Sequence, residues 1–226
     1  MSSIELPYID YYFNANILAT THTGNSDSSR IEMANILDQN YQHLAIPLQT
    51  HSTNVLYIDK PGEFNNCDGL ITHKPNVFLS LQTADCIPIF LFDEVTSLRG
   101  LIHAGWRGVV GEIAKNAIHL MVVHQSKPGD IKVVLGPAIC KKCFEVGPEV
   151  AVNFKIENKK KGVKDKWLVD LHGQVKCQLL DLGINPSNIK SSYICSYEND
   201  DCCSYRRDGA AAGRMFSFMG VKNRSN

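Results

Sequence analysis

The sequence predicts an α/β protein, a mixed β-sheet core covered by helices and folded as one compact domain over residues 1–226. Three observations predict it. Short apolar runs rich in β-branched and aromatic residues recur along the chain. Stretches with helical periodicity fall between them. The two alternate without regular βαβ timing, and no glycine-rich phosphate loop of standard spacing is present, which argues against a doubly wound nucleotide fold.

Strands are expected over 16–21, 55–58, 77–81, 87–92, 98–103 and 131–135, many of them apolar enough to be buried on both faces. The strongest helical pattern covers 109–125, where Ile113, Ala117, Leu120 and Met121 recur at spacings of three and four before Pro128 and Gly129 end it. Shorter helices are expected over 30–39, 148–154 and 170–182, the last capped by Asp170. The lysine-rich stretch 155–166 reads as a solvated loop.

Composition excludes some classes of function. The 23 Lys and Arg balance 23 Asp and Glu, so no net field recruits nucleic acid or an anionic membrane surface. No apolar run approaches the length of a membrane span, and the N-terminus has no basic-then-apolar leader. The expectation is a soluble, cytoplasmic protein whose eight cysteines are reduced, buried or metal-bound, and whose partners are small molecules.

Three segments carry the chemistry: Gln49-Thr50-His51-Ser52, Thr83-Ala84-Asp85-Cys86 and His103-Ala104-Gly105-Trp106-Arg107-Gly108. Cys86 precedes one expected strand and His103 closes the next, so antiparallel pairing would bring them together. His51 lies just before the 55–58 strand. Two imidazoles and a thiolate suit zinc, and three protein ligands leave a fourth position open, the catalytic arrangement. Such an ion acidifies its bound water and so favours hydrolytic chemistry. A rival reading makes Cys86 a nucleophile activated by His103. A third makes the zinc structural, which requires a closed four-ligand site.

Taken together, QTHSTNV, CDGLIT, TADCIPIF, HAGWRG, LGPAICKKCFEVGPEV and SYRRDGAAAGRMFSFMGV resemble the polyphenol oxidase or laccase-domain family, whose members are described as multi-activity purine nucleoside enzymes. The likeness runs over 49–221 in the family's motif order. It implies a compact α/β fold with zinc on His51, Cys86 and His103. It also implies phosphorolysis of adenosine, inosine, guanosine and methylthioadenosine, together with adenosine deamination. In some members a neighbouring subunit helps form the pocket, which makes a homo-oligomer an expectation here. One departure stands out: where the family has a Thr-Arg-x-Gly-Gly segment, this chain reads Thr20-Thr21-His22-Thr23-Gly24-Asn25, without the arginine.

On that reading Arg107 and Arg206 are the first candidates to hold phosphate and stabilise the charge of the transition state, with Arg30 a third source of charge. Asp85 is the candidate proton carrier for deamination. It shares a site with Cys86 only at a bend or bulge, because neighbouring side chains of a regular strand face opposite ways. Arg206, Arg207 and Asp208 read either as a binding loop or as an ion pair. Trp106 reads as core packing or as a surface for a base, with Gly105 and Gly108 permitting close approach. Cys140 and Cys143 form a CxxC without a second pair, so packing is the simpler account, and Cys67, Cys177, Cys195, Cys202 and Cys203 have no metal motif. His119 and His124 are expected on the solvent side of their helix. Copper is compatible with the ligands but disfavoured, since no second histidine cluster could complete a multicopper centre. The alternative activity is an amidase that edits peptidoglycan precursors.

Overall fold

The computed structural model describes residues 8–24 and 30–222. Two six-stranded mixed sheets lie face to face, so the expected mixed core is split into two layers. The first sheet runs, in spatial order, β1 (Tyr8–Asp10), β2 (Ile17–His22), β15 (Met215–Val221), β7 (Phe78–Thr83), β3 (Leu44–Pro47) and β5 (Gly62–Phe64). The second runs β14 (Ile189–Ser191), β10 (Lys132–Leu135), β8 (Ile87–Phe92), β9 (Arg99–Ala104), β6 (Gly69–Thr72) and β4 (Val55–Tyr57). A small third sheet of β11 (Glu145–Val146), β13 (Trp167–Val169) and β12 (Lys159–Lys161) stands beside them.

Period-two alternation explains the layering. Along β8, Phe90 and Phe92 point between the sheets and meet Leu79, Leu81 and Met219 of the first sheet. Ile87, Ile89 and Leu91 point the other way, onto α3 (Ile113–Val123) and α5 (Leu171–Asp181). The outer face of the first sheet is covered by α1 (Arg30–Ile36), whose Met33 and Ala34 pack on Phe78 and Phe218. Every residue of β8 and β9 is buried; β8 is apolar throughout, whereas β9 also buries Arg99 and His103.

The helix expected over 109–125 is two helices. A short α2 (Trp106–Val110) ends at Gly111, and Glu112 takes a left-handed φ of 61° before α3 starts. The break brings Gly111 against Thr53: a Cβ there would lie 2.4 Å from the threonine Cγ2. The helix expected over 148–154 shrinks to α4 (Pro148–Ala151). Asp170 caps α5 by accepting from the Gly173 amide at 2.8 Å. The 155–166 stretch is not wholly loop, since Lys159–Lys161 forms β12. His119 is exposed, whereas His124 is half-buried because its ring stacks on Tyr57. No helix among the described residues is long and apolar enough to cross a membrane.

Candidate metal centre and its cleft

Strand register assembles the site. In the β8–β9 hairpin Pro88 pairs with His103 and Ile87 with Ala104, so Cys86, one residue before β8, stands beside the end of β9. The β6–β9 pairing sets Gly69 opposite Ile102, which places Asp68 next to His103, and the His103 amide donates to the Asp68 carbonyl at 2.6 Å. His51 arrives on the loop between β3 and β4 in a left-handed conformation, φ 59°. The ligand atoms of His51, Cys86 and His103 all lie within 4.8 Å of one another. His51 is exposed, Cys86 half-buried and His103 buried, so the group opens to solvent on one side.

Asp68 organises this group, and sequence reasoning passed over it although it sits in the CDGLIT motif. It is fully buried. Its Oδ1 accepts from His103 Nδ1 at 2.7 Å and from the His51 amide at 3.0 Å. Its Oδ2 accepts from the Ser52 amide and hydroxyl, each at 2.7 Å. One carboxylate therefore pins the His51 loop and commits Nδ1 of His103, leaving Nε2 for a metal. Burial would raise the Asp68 pKa, but the bonds from His103 and Ser52 outweigh it and hold the carboxyl well below the usual range.

Cys86 and His103 respond in kind. Burial would raise the Cys86 thiol, yet hydrogen bonds and charge from His103 and His51 bring it down to about 7. Burial would lower His103, while Asp68 and Cys86 raise it to about 9. The donor set fits a metal on a further count. A Cβ built on Gly105 would stand 2.9 Å from Cys86 Sγ and 3.0 Å from His51 Cδ2, so the glycine keeps the ligand space clear. Its φ of −74° is open to any residue, so the demand for glycine is steric.

The triad floors a cleft of about 650 Å³, a size suited to a small ligand. Asp85, Arg107 and Arg206 all line it. Asp85 has a φ of 81°, the bend that lets it share the site with Cys86. Both its oxygens are engaged: Oδ1 accepts from Ser196 Oγ and Oδ2 from the Arg206 amide, each at 2.6 Å. Arg107 lies over the Trp106 ring at 4.5 Å. Arg206, on α6 (Tyr205–Asp208), lies over Phe144 at 5.5 Å and donates to the Cys143 carbonyl at 3.2 Å.

The adjacent arginines divide their labour. Arg207 donates to the carbonyls of Ser196, Tyr197, Asn199 and Cys202 and pairs with Asp208, so it ties the loop together while Arg206 faces the cleft. Arg30 packs over Phe216 and is not among the residues lining the cleft. Lys166 and Arg214 line it and were not anticipated. Neither carries a local motif; the first lies in the lysine-rich stretch and the second follows SYRRDG closely. Of the segment lacking the family arginine, Thr20 to Thr23 are buried at the end of β2, and Asn25 lies outside the described residues.

A sequence profile of the family described as multi-copper polyphenol oxidoreductase laccase matches residues 12–222. The chain belongs to that family. Similar proteins include a purine nucleoside phosphorylase of Deinococcus radiodurans, 35% identical over 78% of this chain and 69% of the relative. A purine nucleoside phosphorylase of Clostridium acetobutylicum is 35% identical over 92% of this chain and 86% of the relative. Adenosine deaminase RL5, from an unknown prokaryotic organism, is 33% identical over 84% and 79%. Among solved structures, YlmD from Geobacillus stearothermophilus superposes with a TM-score of 0.86 at 27% identity, covering 92% of this chain and 93% of that one. The α/β fold is thus the fold of the family, and the resemblance read from the motifs holds.

Proposed function

We propose that this chain is a zinc-dependent purine nucleoside phosphorylase, acting on adenosine, inosine, guanosine and methylthioadenosine, with adenosine deaminase activity. The observation that carries the reading is the convergence of His51, Cys86 and His103 on the floor of a cleft bordered by Arg107, Lys166, Arg206 and Arg214. The cations suit an inorganic phosphate, and the three-donor group beside them suits a metal ion. The names borne by the relatives support the substrate class.

His51, Cys86 and His103 would hold the zinc, and three protein ligands would leave it able to take a water or a substrate atom as well. Zinc supplies Lewis acidity and acidified water there.

The chain's own groups set the rest. In phosphorolysis the phosphate attacks C1′ of the ribose and the purine leaves with a proton. Arg107 and Arg206 bind and orient the phosphate and neutralise its charge, with Arg214 and Lys166 in support. Trp106, half-buried at the cleft wall, is the aromatic surface for the base, while Phe144 is buried beneath Arg206 and serves to place that guanidinium. In deamination a carboxylate carries a proton to departing ammonia, and Asp85 and Glu145 are the two carboxylates that line the cleft. Asp85 also positions Arg206 through its backbone amide. A cytoplasmic setting and a homo-oligomer that completes the cleft belong to the same proposal.

The test is direct. Purified protein of measured metal content is incubated with adenosine, with and without phosphate, and adenine and inosine are followed by chromatography beside a Cys86→Ala control. Phosphate-dependent adenine and phosphate-independent inosine, both lost in the control, are expected. No product from zinc-loaded protein would reject the reading in favour of amide hydrolysis at the same centre.

A further inference from the structure

A second group of metal-capable side chains stands apart from the residues that line the cleft. Sequence spacing leaves Cys140 and Cys143 as a CxxC without partners, but the fold supplies two. An isolated parallel bridge joins Ala138 to Cys195, with the Ser196 amide donating to the Ala138 carbonyl at 3.1 Å, and this docks the 195–199 turn on the CxxC loop. The Cys140 amide donates to Cys195 Sγ at 3.3 Å, and Glu198 reaches the group from the same turn. The three sulfurs and the Glu198 carboxylate all lie within 4.8 Å of one another.

We propose that Cys140, Cys143, Cys195 and Glu198 form a second, closed zinc site that is structural rather than catalytic. Two of the spacings are close to the edge of a coordination polyhedron, and the others fall within 4.8 Å. With zinc–sulfur bonds of about 2.3 Å, the edge of a tetrahedron is about 3.8 Å; Cys140 and Cys143 are 3.6 Å apart at sulfur, and Cys140 Sγ is 3.8 Å from Glu198 Oε2. A dithiol switch would use only Cys140 and Cys143 and leave the convergence of Cys195 and Glu198 without purpose. Burial has the sense of a closed site: Cys195 is buried, Cys140 and Cys143 are half-buried, and Glu198 is the exposed ligand that shuts the solvent side. Binding sends the three thiol protons to solvent and involves no oxidation.

The position gives the ion its role. Cys143 presents the carbonyl that accepts from Arg206 and precedes Phe144, over which the Arg206 guanidinium lies. Cys195 precedes Ser196, which donates to Asp85. A zinc here would lock together the loops that aim Arg206 and Asp85 at the cleft, without touching substrate.

Metal content of the full chain tests it independently of the nucleoside reading. Two zinc ions per chain are expected from the two clusters, one remaining in Cys86→Ala and one in Cys195→Ser. Cobalt added to the metal-free Cys86→Ala chain should give strong thiolate-to-metal absorption and intense visible bands of tetrahedral cobalt, so the answer does not depend on the folding of Cys195→Ser. A wild-type chain with one zinc that Cys86→Ala abolishes, and no cobalt spectrum in that variant, overturns the second site. Loss of zinc in Cys195→Ser with none lost in Cys86→Ala keeps the second site and sinks the catalytic one.

Discussion

The two walls of the cleft are built by different physics. The metal-capable wall stands at strand ends: His103 is the last residue but one of β9, Cys86 immediately precedes β8, and a buried carboxylate with four close donors, at 2.7–3.0 Å, fixes both the His51 loop and a ring nitrogen. The cationic wall stands on loops and two short helices, α2 and α6. Arg107, Lys166, Arg206 and Arg214 are all exposed, and Arg206 and Arg107 rest on aromatic faces rather than on buried carboxylates. A wall of the first kind holds one geometry and is intolerant of change. A wall of the second kind is screened by water and ions and can shift to follow a charged ligand.

The largest effect should follow from breaking the metal wall at its centre. Cys86→Ala removes the only thiolate of the triad, and loss of a Lewis acid worth several kcal/mol corresponds to a drop in kcat/KM of about a thousandfold. Metal content and adenosine turnover should fall together while circular dichroism is unchanged. Activity that persists in the metal-free variant would contradict the assignment.

Asp68→Asn comes next, and acts from behind the ligands. It should weaken zinc binding by about 10- to 100-fold, the range for removing a carboxylate that orients a histidine ligand. In the metal-free protein it should also cost about 3 kcal/mol of stability at neutral pH, because the His103 and Ser52 donors lose a buried anion. The sign of the pH dependence follows from the depressed carboxyl. Its folded pKa lies below the ordinary 3.8, so its stabilisation is present above that value and is lost as pH falls towards the folded pKa. Urea unfolding of metal-free wild type and Asp68→Asn should therefore differ widely at pH 7 and converge in acid. A gap that does not depend on pH would mean that the asparagine acts through packing alone.

This asymmetry also explains what the sequence made legible. His51, Cys86 and His103 stood out as metal-capable side chains near strand ends, the family resemblance joined them into one set, and the fold brings their side chains together. Asp68 was hidden, since an aspartate before a strand looks like a turn residue until the β6–β9 register sets it against His103. The strands of 87–92 and 98–103 were plain from apolar runs. The division into two sheets was not, because it depends on which face of β8 meets β15 and β7 across the interior. The break at Gly111 and Glu112 was masked by an apolar periodicity that continues through it. Cys195 and Glu198 stood more than fifty residues from the CxxC, and only the bridge at Ala138 brings them together.

A smaller effect separates space from chemistry within the metal wall. Gly105→Ala adds one methyl group 2.9 Å from Cys86 Sγ at a backbone conformation alanine accepts. Crowding of this kind costs about 1 to 3 kcal/mol, so zinc affinity should fall by roughly tenfold or more. In the metal-free protein the ligands can move aside, and the melting temperature should change little. Equal losses in the metal-free and zinc-loaded forms would show that the glycine serves packing and not ligand space.

The smallest single effects belong to the cationic wall, and there the neighbouring arginines make an internal control. Arg206→Ala removes an exposed guanidinium from a cleft that keeps three other cations, and exposed charge contacts are worth about 1 kcal/mol or less. The KM for phosphate should rise about fivefold, with the melting temperature held and the rise growing at low ionic strength. Arg207→Ala should do the reverse, because its guanidinium serves the carbonyls of Ser196, Tyr197, Asn199 and Cys202. It should lower the melting temperature and leave the KM for phosphate near its wild-type value. If both variants raised KM equally, the loop would act as one electrostatic unit, and the division between a rigid metal wall and an adaptable cationic wall would have to be drawn elsewhere.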